Sequence, residues 1–143
     1  MKHEEVKQDE ATLNWVAGFF EGEGHASIQW NEYQGYYPIM VNLASSDPEP
    51  IDMVYSIWGG RRVTRPTKYR GTSGKFRKGR PQHQLWFRHR ESARFLDDIL
   101  LHLRTQGKRA AVGIVLRALR GEGSREELYR ELRELESYHT KAR

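Results

Sequence analysis

Two glutamates separated by one glycine, Glu21 and Glu23, stand at the end of a predicted helix. The helix dipole is negative at this end, so each carboxylate costs roughly 0.3–1 kcal/mol unless a cation lies nearby. Carboxylate oxygens are hard ligands of the kind that bind Mg²⁺ or Ca²⁺. The same helix carries Gly18 and Gly22 on one face, although an interior glycine costs about 1 kcal/mol relative to alanine. The pattern favours a cation site beside a surface that a second backbone can approach, whereas the two glutamates alone would most simply be solvated.

A basic stretch from residue 59 to residue 90 contains eleven lysine and arginine residues and no aspartate or glutamate. The formal net charge of the whole chain is only +5, so the acidic residues are concentrated on either side of this stretch. Aromatic residues, among them Phe76 and Trp86, are interleaved with the charges. Such a stretch is typical of a surface that binds nucleic acid, although a solvated basic surface is the simpler alternative.

The composition excludes several other classes of protein. The 143 residues suffice for one compact domain, and 37% hydrophobic residues argue against a disordered chain. Without cysteine there is no disulfide, thiolate metal site or cysteine nucleophile. No apolar segment approaches the ~20 residues that cross a bilayer, and the N-terminal residues lack the apolar region of a secretory signal. We therefore expect a protein that does not associate with a membrane and is not secreted. Its expected location is the cytoplasm, the nucleoid or an organelle.

The periodicity of the apolar residues predicts the elements that must position these side chains. Asp9 is a suitable N-cap for the first helix, Asp47 or a neighbour caps the second, and Ser124 with Glu127 forms a capping box for the last. The predicted elements are helix 9–22, strands 26–31 and 37–43, helix 50–58, strand 61–69, a flexible basic loop 71–81, strand 82–89, and helices 91–103, 108–119 and 124–138.

The nine residues VAGFFEGEG, from Val16 to Gly24, resemble the LAGLIDADG motif of homing endonucleases. Ala17, Gly18 and Gly24 match the motif directly, and glutamate replaces both aspartates. Two strands, a helix and two strands follow, so the resemblance extends from about residue 9 to residue 119. It implies a single α+β domain over residues 1–143 with an αββαββα core, in which a curved antiparallel four-stranded sheet binds the DNA major groove. Residues 121–143 would form a C-terminal helical extension.

The resemblance also implies a homodimer, because the chain has one motif and the motif helices of two units pack together. Ala17, Gly18, Glu21 and Gly22 would lie at this interface, with Glu21 capping or supporting the partner's helix. Glu23 would be the catalytic carboxylate that binds metal, and the carbonyl of Gly22 would be a further ligand. Mg²⁺ is the expected cofactor, Ca²⁺ or Mn²⁺ are the expected substitutes, and no small-molecule cofactor is expected.

Two more residues are assigned to the catalytic site by the same resemblance. Lys108 occupies a position at which the family often has a lysine, and its charge would polarise the attacking water or offset phosphate charge. Arg109 is the alternative if the register differs by one residue. Ser45 takes the place of a glutamine that is common in the family, a replacement that favours reduced activity.

Outward-facing residues of the predicted strands are expected to contact duplex DNA. Polar side chains read base edges, whereas arginine and lysine also contact phosphates. The candidates for base contacts are Ser27, Gln29, Asn31, Tyr33 and Asn42, and those for base or phosphate contacts are Arg61, Arg62, Lys68, Arg70, Gln84 and Arg88.

These features predict a site-specific, metal-dependent endonuclease of duplex DNA that acts as a homodimer and belongs to an intron, an intein or a free-standing gene. Two alternatives stay open at this point. One is a DNA-binding regulator or RNA maturase of the same fold that has lost cleavage. The other is an unrelated basic interaction module.

Overall fold

In the computed structural model, which describes residues 7–141, the chain folds into five helices and six strands. The elements are α1 (Glu10–Glu23), β1 (Gly24–Ile28), β2 (Ile39–Ser45), α2 (Pro48–Trp58), β3 (Arg61–Arg65), β4 (Lys68–Arg70), β5 (Phe76–Lys78), β6 (Gln82–Trp86), α3 (His89–Leu100), α4 (Gln106–Leu119) and α5 (Arg125–Lys141). The predicted α+β fold with four main antiparallel strands is confirmed.

Helix α1 begins and ends where its sequence dictates. The carboxylate of Asp9 accepts a hydrogen bond from the Thr12 amide at 2.7 Å, which satisfies one of the unpaired donors of the first turn. At the other end Gly24 is extended and opens β1. A Cβ on Gly24 would lie 2.0 Å from the ring of Phe20, so only glycine fits this transition.

The main sheet has the strand order β1-β2-β6-β3, and each neighbouring pair is antiparallel. Residues directly opposite each other on such strands point to the same side, so the register sorts the side chains into two faces. One side, here called the helix face, carries Ala26, Val41, Leu43 and Leu85, which are buried in the core with the helices. The opposite side is called the outer face.

The third predicted strand is shorter than expected, and the predicted flexible loop is wrong. Strand β3 ends at Arg65 because Pro66 has no amide hydrogen to donate to the ladder. The following residues form a separate two-stranded hairpin, β4–β5, in which Lys68 lies opposite Lys78. Gly74, at a φ of 77°, lies in the turn between its strands. Several basic residues of this segment therefore lie on a hairpin, where the sequence predicts a loop without strands.

Helix α5 packs against α4 and reaches the end of the β1–β2 hairpin. Its start is capped as predicted, since Ser124 Oγ accepts from the Glu127 amide at 3.1 Å. Tyr129 of α5 contacts Tyr37, whose ring also packs on Trp30 at 4.8 Å between centroids. Among the helices within residues 7–141, none is long and apolar enough to cross a membrane.

Candidate functional site

Glu23 is the last residue of α1, and its side chain is exposed. Among residues 7–141 the structure gives its carboxylate no hydrogen bond or ion pair. Gly18 and Gly22 are exposed on the same helix, and a Cβ on either would meet no atom within 4 Å. Nothing inside one chain therefore requires glycine at these two positions.

Lys108 lies directly beside the end of α1. Its Nζ donates a hydrogen bond to the carbonyl oxygen of Gly24 at 2.8 Å and stands 5.0 Å from the centre of the Phe20 ring. Burial lowers the pKa of Lys108, and the charge of Glu21 acts in the opposite direction. A partly desolvated ammonium group thus contacts the backbone of Gly24, the residue that follows Glu23.

Glu21 holds the two residues that precede helix α4 of its own chain. Its Oε1 accepts hydrogen bonds from the amides of Arg104 at 2.5 Å and Thr105 at 2.8 Å, and from the Thr105 hydroxyl at 3.3 Å. Thr105 is the N-cap residue of α4, so Glu21 fixes the position at which this helix begins. The Thr105 amide is the main cause of a lowered pKa for Glu21. Glu21 therefore has a structural role within its own chain, and its predicted role at a partner's helix stays a prediction.

Three assignments are not supported by the structure. Ala17 is fully buried in the core of its own chain, which leaves no surface for a partner. Arg109 donates to the carbonyl of Leu103, so its guanidinium is bound to its own chain, and Lys108 is the residue at the end of α1. Ser45 faces the helices, opposite His83, and its hydroxyl accepts from the Asp47 amide at 3.0 Å. Its engagement in this turn does not support a part in a catalytic water network.

The outer face of the sheet carries a continuous row of polar and charged side chains. Asn42 lies opposite His25 on one side and Trp86 on the other, and Trp86 lies opposite Arg61. The exposed guanidinium of Arg61 and the amide of Asn42 are thus both on this face, as predicted.

Three of the predicted contact residues are less available to DNA than the sequence suggests. Ser27 belongs to the outer face by register but is only 5% exposed, so its hydroxyl is not accessible to a base. Arg62 points to the helix face, where it pairs with Asp52 of α2 at 2.6 Å. The side-chain oxygen of Asn31 accepts from the Gln34 amide at 3.1 Å and so stabilises the β1–β2 turn.

The remaining candidates lie around the sheet. Gln29 and Tyr33 are exposed in the β1–β2 hairpin, where Tyr33 is 101% exposed. Arg88 is exposed just before α3. Lys68 and Arg70 lie on the separate β4–β5 hairpin, with Arg70 packed over Phe76 at 5.9 Å from the ring centre.

The structure adds residues that the sequence interpretation omitted. Arg65 lies opposite Gln82 and donates from Nε to Gln84 Oε1 at 3.1 Å. The same oxygen accepts from Trp86 Nε1 at 3.0 Å. Side chains alternate along a strand with a period of two, so Arg61 and Arg65 share one face of β3 and Arg62 lies on the other. This alternation was the signal that could have identified Arg65.

The donors that one chain offers to a metal ion are few. Within residues 7–141 no group of three or more histidine, aspartate or glutamate residues is placed to hold one. Glu23 still fits a divalent ion, because its carboxylate is an exposed, hard ligand that no other residue in the described part of the chain binds. The last-turn carbonyl of Gly22, which has no amide of its helix left to bond, is a second donor of the right type. Such a site needs further oxygens from outside the chain.

Known structures resemble this chain at the level of the fold. The homing endonuclease I-CvuI has been solved in complex with the I-CreI target (C1221) in 2 mM Mg, with the DNA not cleaved. Its chain is 19% identical to this one, and the TM-score is 0.50. The match covers 78% of this chain and 67% of that one. I-CvuI with its target (Sro1.3) in 2 mM Ca is 18% identical, with a TM-score of 0.50 over 87% and 82%. The homing endonuclease I-TnaI is 19% identical, with a TM-score of 0.49 over 91% and 99%.

No family model and no curated protein sequence matches the chain. At these identities the I-CvuI structures show a shared fold and leave the activity open. The resemblance that the motif VAGFFEGEG suggests is thus confirmed for the fold.

Proposed function

We propose that this chain is a site-specific endonuclease that cuts duplex DNA as a homodimer with divalent cations. The observation that carries the proposal is the end of α1. There Glu23 presents an exposed carboxylate that has no hydrogen bond or ion pair within residues 7–141, and Lys108 is fixed on the carbonyl of the next residue, Gly24. A carboxylate that can bind a cation and an ammonium group on the neighbouring backbone are suited to a phosphodiester, which brings negative charge.

The dimer is supported by the two glycines of α1. Gly18 and Gly22 have free space where a side chain would be, and each lowers the helix propensity by about 1 kcal/mol relative to alanine. A second α1 lying on this face would explain both residues, because glycine allows two helix backbones to approach closely. Two such chains would bring their Glu23 carboxylates near one symmetry axis and double the number of oxygen donors.

The residues at the end of α1 have distinct tasks. Glu23 and the Gly22 carbonyl would hold the cation, which when bound supplies an activated water and stabilises the leaving oxygen. Lys108 offsets the phosphate charge from a position that its bond to Gly24 fixes. Glu21 holds Arg104 and Thr105 at the start of α4, the helix that carries Lys108.

DNA binding is assigned to the outer face of the sheet. The strands β3 and β6 lie within the stretch of residues 59–90 that has eleven basic residues and no acidic one. I-CvuI, which shares the fold, has been solved with DNA targets in the presence of Mg or Ca. This likeness supports duplex DNA as the substrate and a divalent cation as the cofactor, for which we propose Mg²⁺.

The proposal is tested by selecting cleaved sites from a random duplex library with the full chain in Mg²⁺. We expect one enriched site that is cut on both strands, and loss of cutting when the ions are chelated. Specific binding without cleavage in Mg²⁺ or Mn²⁺ would instead support a DNA-binding regulator or RNA maturase. The engagement of Ser45 in the α2 turn is the observation that favours this second function.

A further inference from the structure

We infer that Arg65 reads a guanine of the target in the major groove, and that Gln84 and Trp86 hold it for this task. The inference deepens the proposed function and rests on it, because it assumes that the outer face meets duplex DNA. It assigns a sequence preference to one side chain that the motif does not include.

The side chain of Gln84 is fixed by three hydrogen bonds. Its Oε1 accepts from Arg65 Nε at 3.1 Å and from Trp86 Nε1 at 3.0 Å, and its Nε2 donates to Gln82 Oε1 at 2.8 Å. An indole and a guanidinium can only donate, so the atom that faces both must be the amide oxygen. This oxygen uses both lone pairs inside the protein and is not available to a base. Gln84 can therefore not pair with a base through its amide oxygen and nitrogen together, and only one N–H of its Nε2 is left for DNA.

Arg65 uses only Nε in this network. In the described part of the chain, its two terminal nitrogens have no hydrogen-bond or ion-pair partner, and the side chain is exposed. Held through Nε, the guanidinium presents these two nitrogens as a planar pair of donors. Guanine offers a matching pair of acceptors, O6 and N7, in the major groove, and arginine is its usual partner.

Phosphate oxygens could accept the same donors, but the network favours a base. Contacts to phosphates carry no sequence information and require mainly a positive charge near the backbone. Arg61 lies on the same strand and face, and within residues 7–141 no side chain orients it. A bidentate contact with a base edge depends on the orientation of the guanidinium, and the bond from Arg65 Nε to the fixed Gln84 supplies this orientation. Arg61 is therefore the matched phosphate-type control.

The test measures binding to a random duplex library in Ca²⁺, so that cleavage is not required. We expect the wild-type chain to prefer guanine at one position of each half-site by about 5- to 150-fold over other bases. Arg65→Ala should lose this preference and keep the preferences at other positions. Trp86→Phe, which removes one donor to Gln84 but keeps a ring, should weaken the same preference. Arg61→Ala should lower affinity for all sites by a similar factor.

Each other outcome has a definite meaning. Uniform weakening by Arg65→Ala, with every base preference unchanged, would show a phosphate contact and overturn the inference. A wild-type site with no guanine that responds to Arg65 would also overturn it while leaving the proposed function intact. If the wild-type chain binds no duplex, the proposed function fails and this inference fails with it. Thermal unfolding of each variant shows whether the fold is retained.

Discussion

The side chain of Lys108 crosses from α4 to the end of α1 and donates a hydrogen bond to the Gly24 carbonyl at 2.8 Å. In the opposite direction, Glu21 reaches from α1 to the amides of Arg104 and Thr105, which directly precede α4. The two helix ends therefore hold each other: the carboxylate accepts from amides just before α4, and the ammonium group donates to a carbonyl just past α1. Glu23 takes no part in this pair of contacts, and within residues 7–141 its carboxylate has no hydrogen bond or ion pair.

The first prediction concerns the free carboxylate. Glu23→Gln is nearly isosteric but uncharged, so it should hold a hard divalent ion poorly and leave the fold unchanged. We expect cleavage of the selected duplex to fall by more than about 100-fold, since even outer partners of a metal site are worth 10–100-fold. Binding in Ca²⁺ should stay within a few-fold of wild type. Glu122→Gln, at an exposed position distant in sequence, is the control and should cut normally. Wild-type cleavage rates for Glu23→Gln in Mg²⁺ would show that the catalytic residue is another one.

The second prediction separates helix stability from dimer formation. Gly18→Ala has room within one chain, so it should stabilise α1 by about 1 kcal/mol while pushing a partner's helix away. Gly18→Leu should abolish the dimer in sedimentation experiments. Gly113→Ala is the matched control, because a Cβ there also meets no atom within 4 Å in a helix interior. It should stabilise the chain without changing its mass in solution. A wild-type chain that stays monomeric even on DNA contradicts the dimer.

The third prediction compares neighbouring arginines with the same charge. Arg61 is on the outer face, whereas Arg62 pairs with Asp52 on the helix face. Arg61→Gln should weaken DNA binding and reduce the log–log salt slope by about 0.9, the value for one phosphate. Arg62→Gln should leave the slope almost unchanged, and its exposed ion pair contributes at most about 1 kcal/mol to folding. Equal slopes for the two variants would mean that the faces are assigned wrongly.

The fourth prediction uses the lowered pKa of Glu21. Its charged form is favoured by the Thr105 and Arg104 amides, so the folded pKa lies below the ordinary value of about 4.3. The stabilisation is therefore fully present above that value and is lost as the pH falls through the folded pKa. Glu21→Gln should be less stable than wild type by about 1 kcal/mol at pH 7, because hydrogen bonds to a charged acceptor are stronger than those to a neutral amide oxygen. The difference should shrink in acid, as measured by urea unfolding at pH 7 and pH 3. Glu23→Gln, which removes a carboxylate without hydrogen bonds, is the control for a general charge effect.

The fifth prediction concerns Lys108. Lys108→Met keeps an unbranched chain against Phe20 but removes the charge, so cleavage should fall more than DNA binding does. Because burial lowers the pKa of Lys108, loss of its proton should reduce cleavage at a lower pH than for an exposed lysine. Glu21→Gln removes a charge that raises this pKa and should shift the alkaline limb lower still. If the alkaline limb of the pH–rate profile does not move in Glu21→Gln, the protonation of Lys108 does not control the cleavage rate.

Much of the fold follows from local patterns. Asp9 and Asp47 cap the helices that they precede, and the alternation around Val41 and Leu43 assigns the buried side of β2. These features depend on residues within a few positions of each other, which is why the sequence reveals them. The same alternation places Arg61 and Arg62 on opposite faces of β3. The sequence alone was therefore enough to show that the two arginines do not both face outward. The β4–β5 hairpin was harder to predict, because glycines and charges in residues 71–80 are equally typical of a loop.

The sequence by itself determined the motif helix, the strand that follows it and the exposed Glu23. Only the tertiary structure decided what surrounds that carboxylate, since Lys108 lies 84 residues from Gly24 along the chain, and Glu21 lies equally far from Thr105. It also decided that Ser27 is covered although its position in β1 is outward. Local periodicity sets the direction of a side chain relative to its own element. Its partners and its access to solvent depend on which distant elements pack beside it, and no short stretch of sequence contains that information.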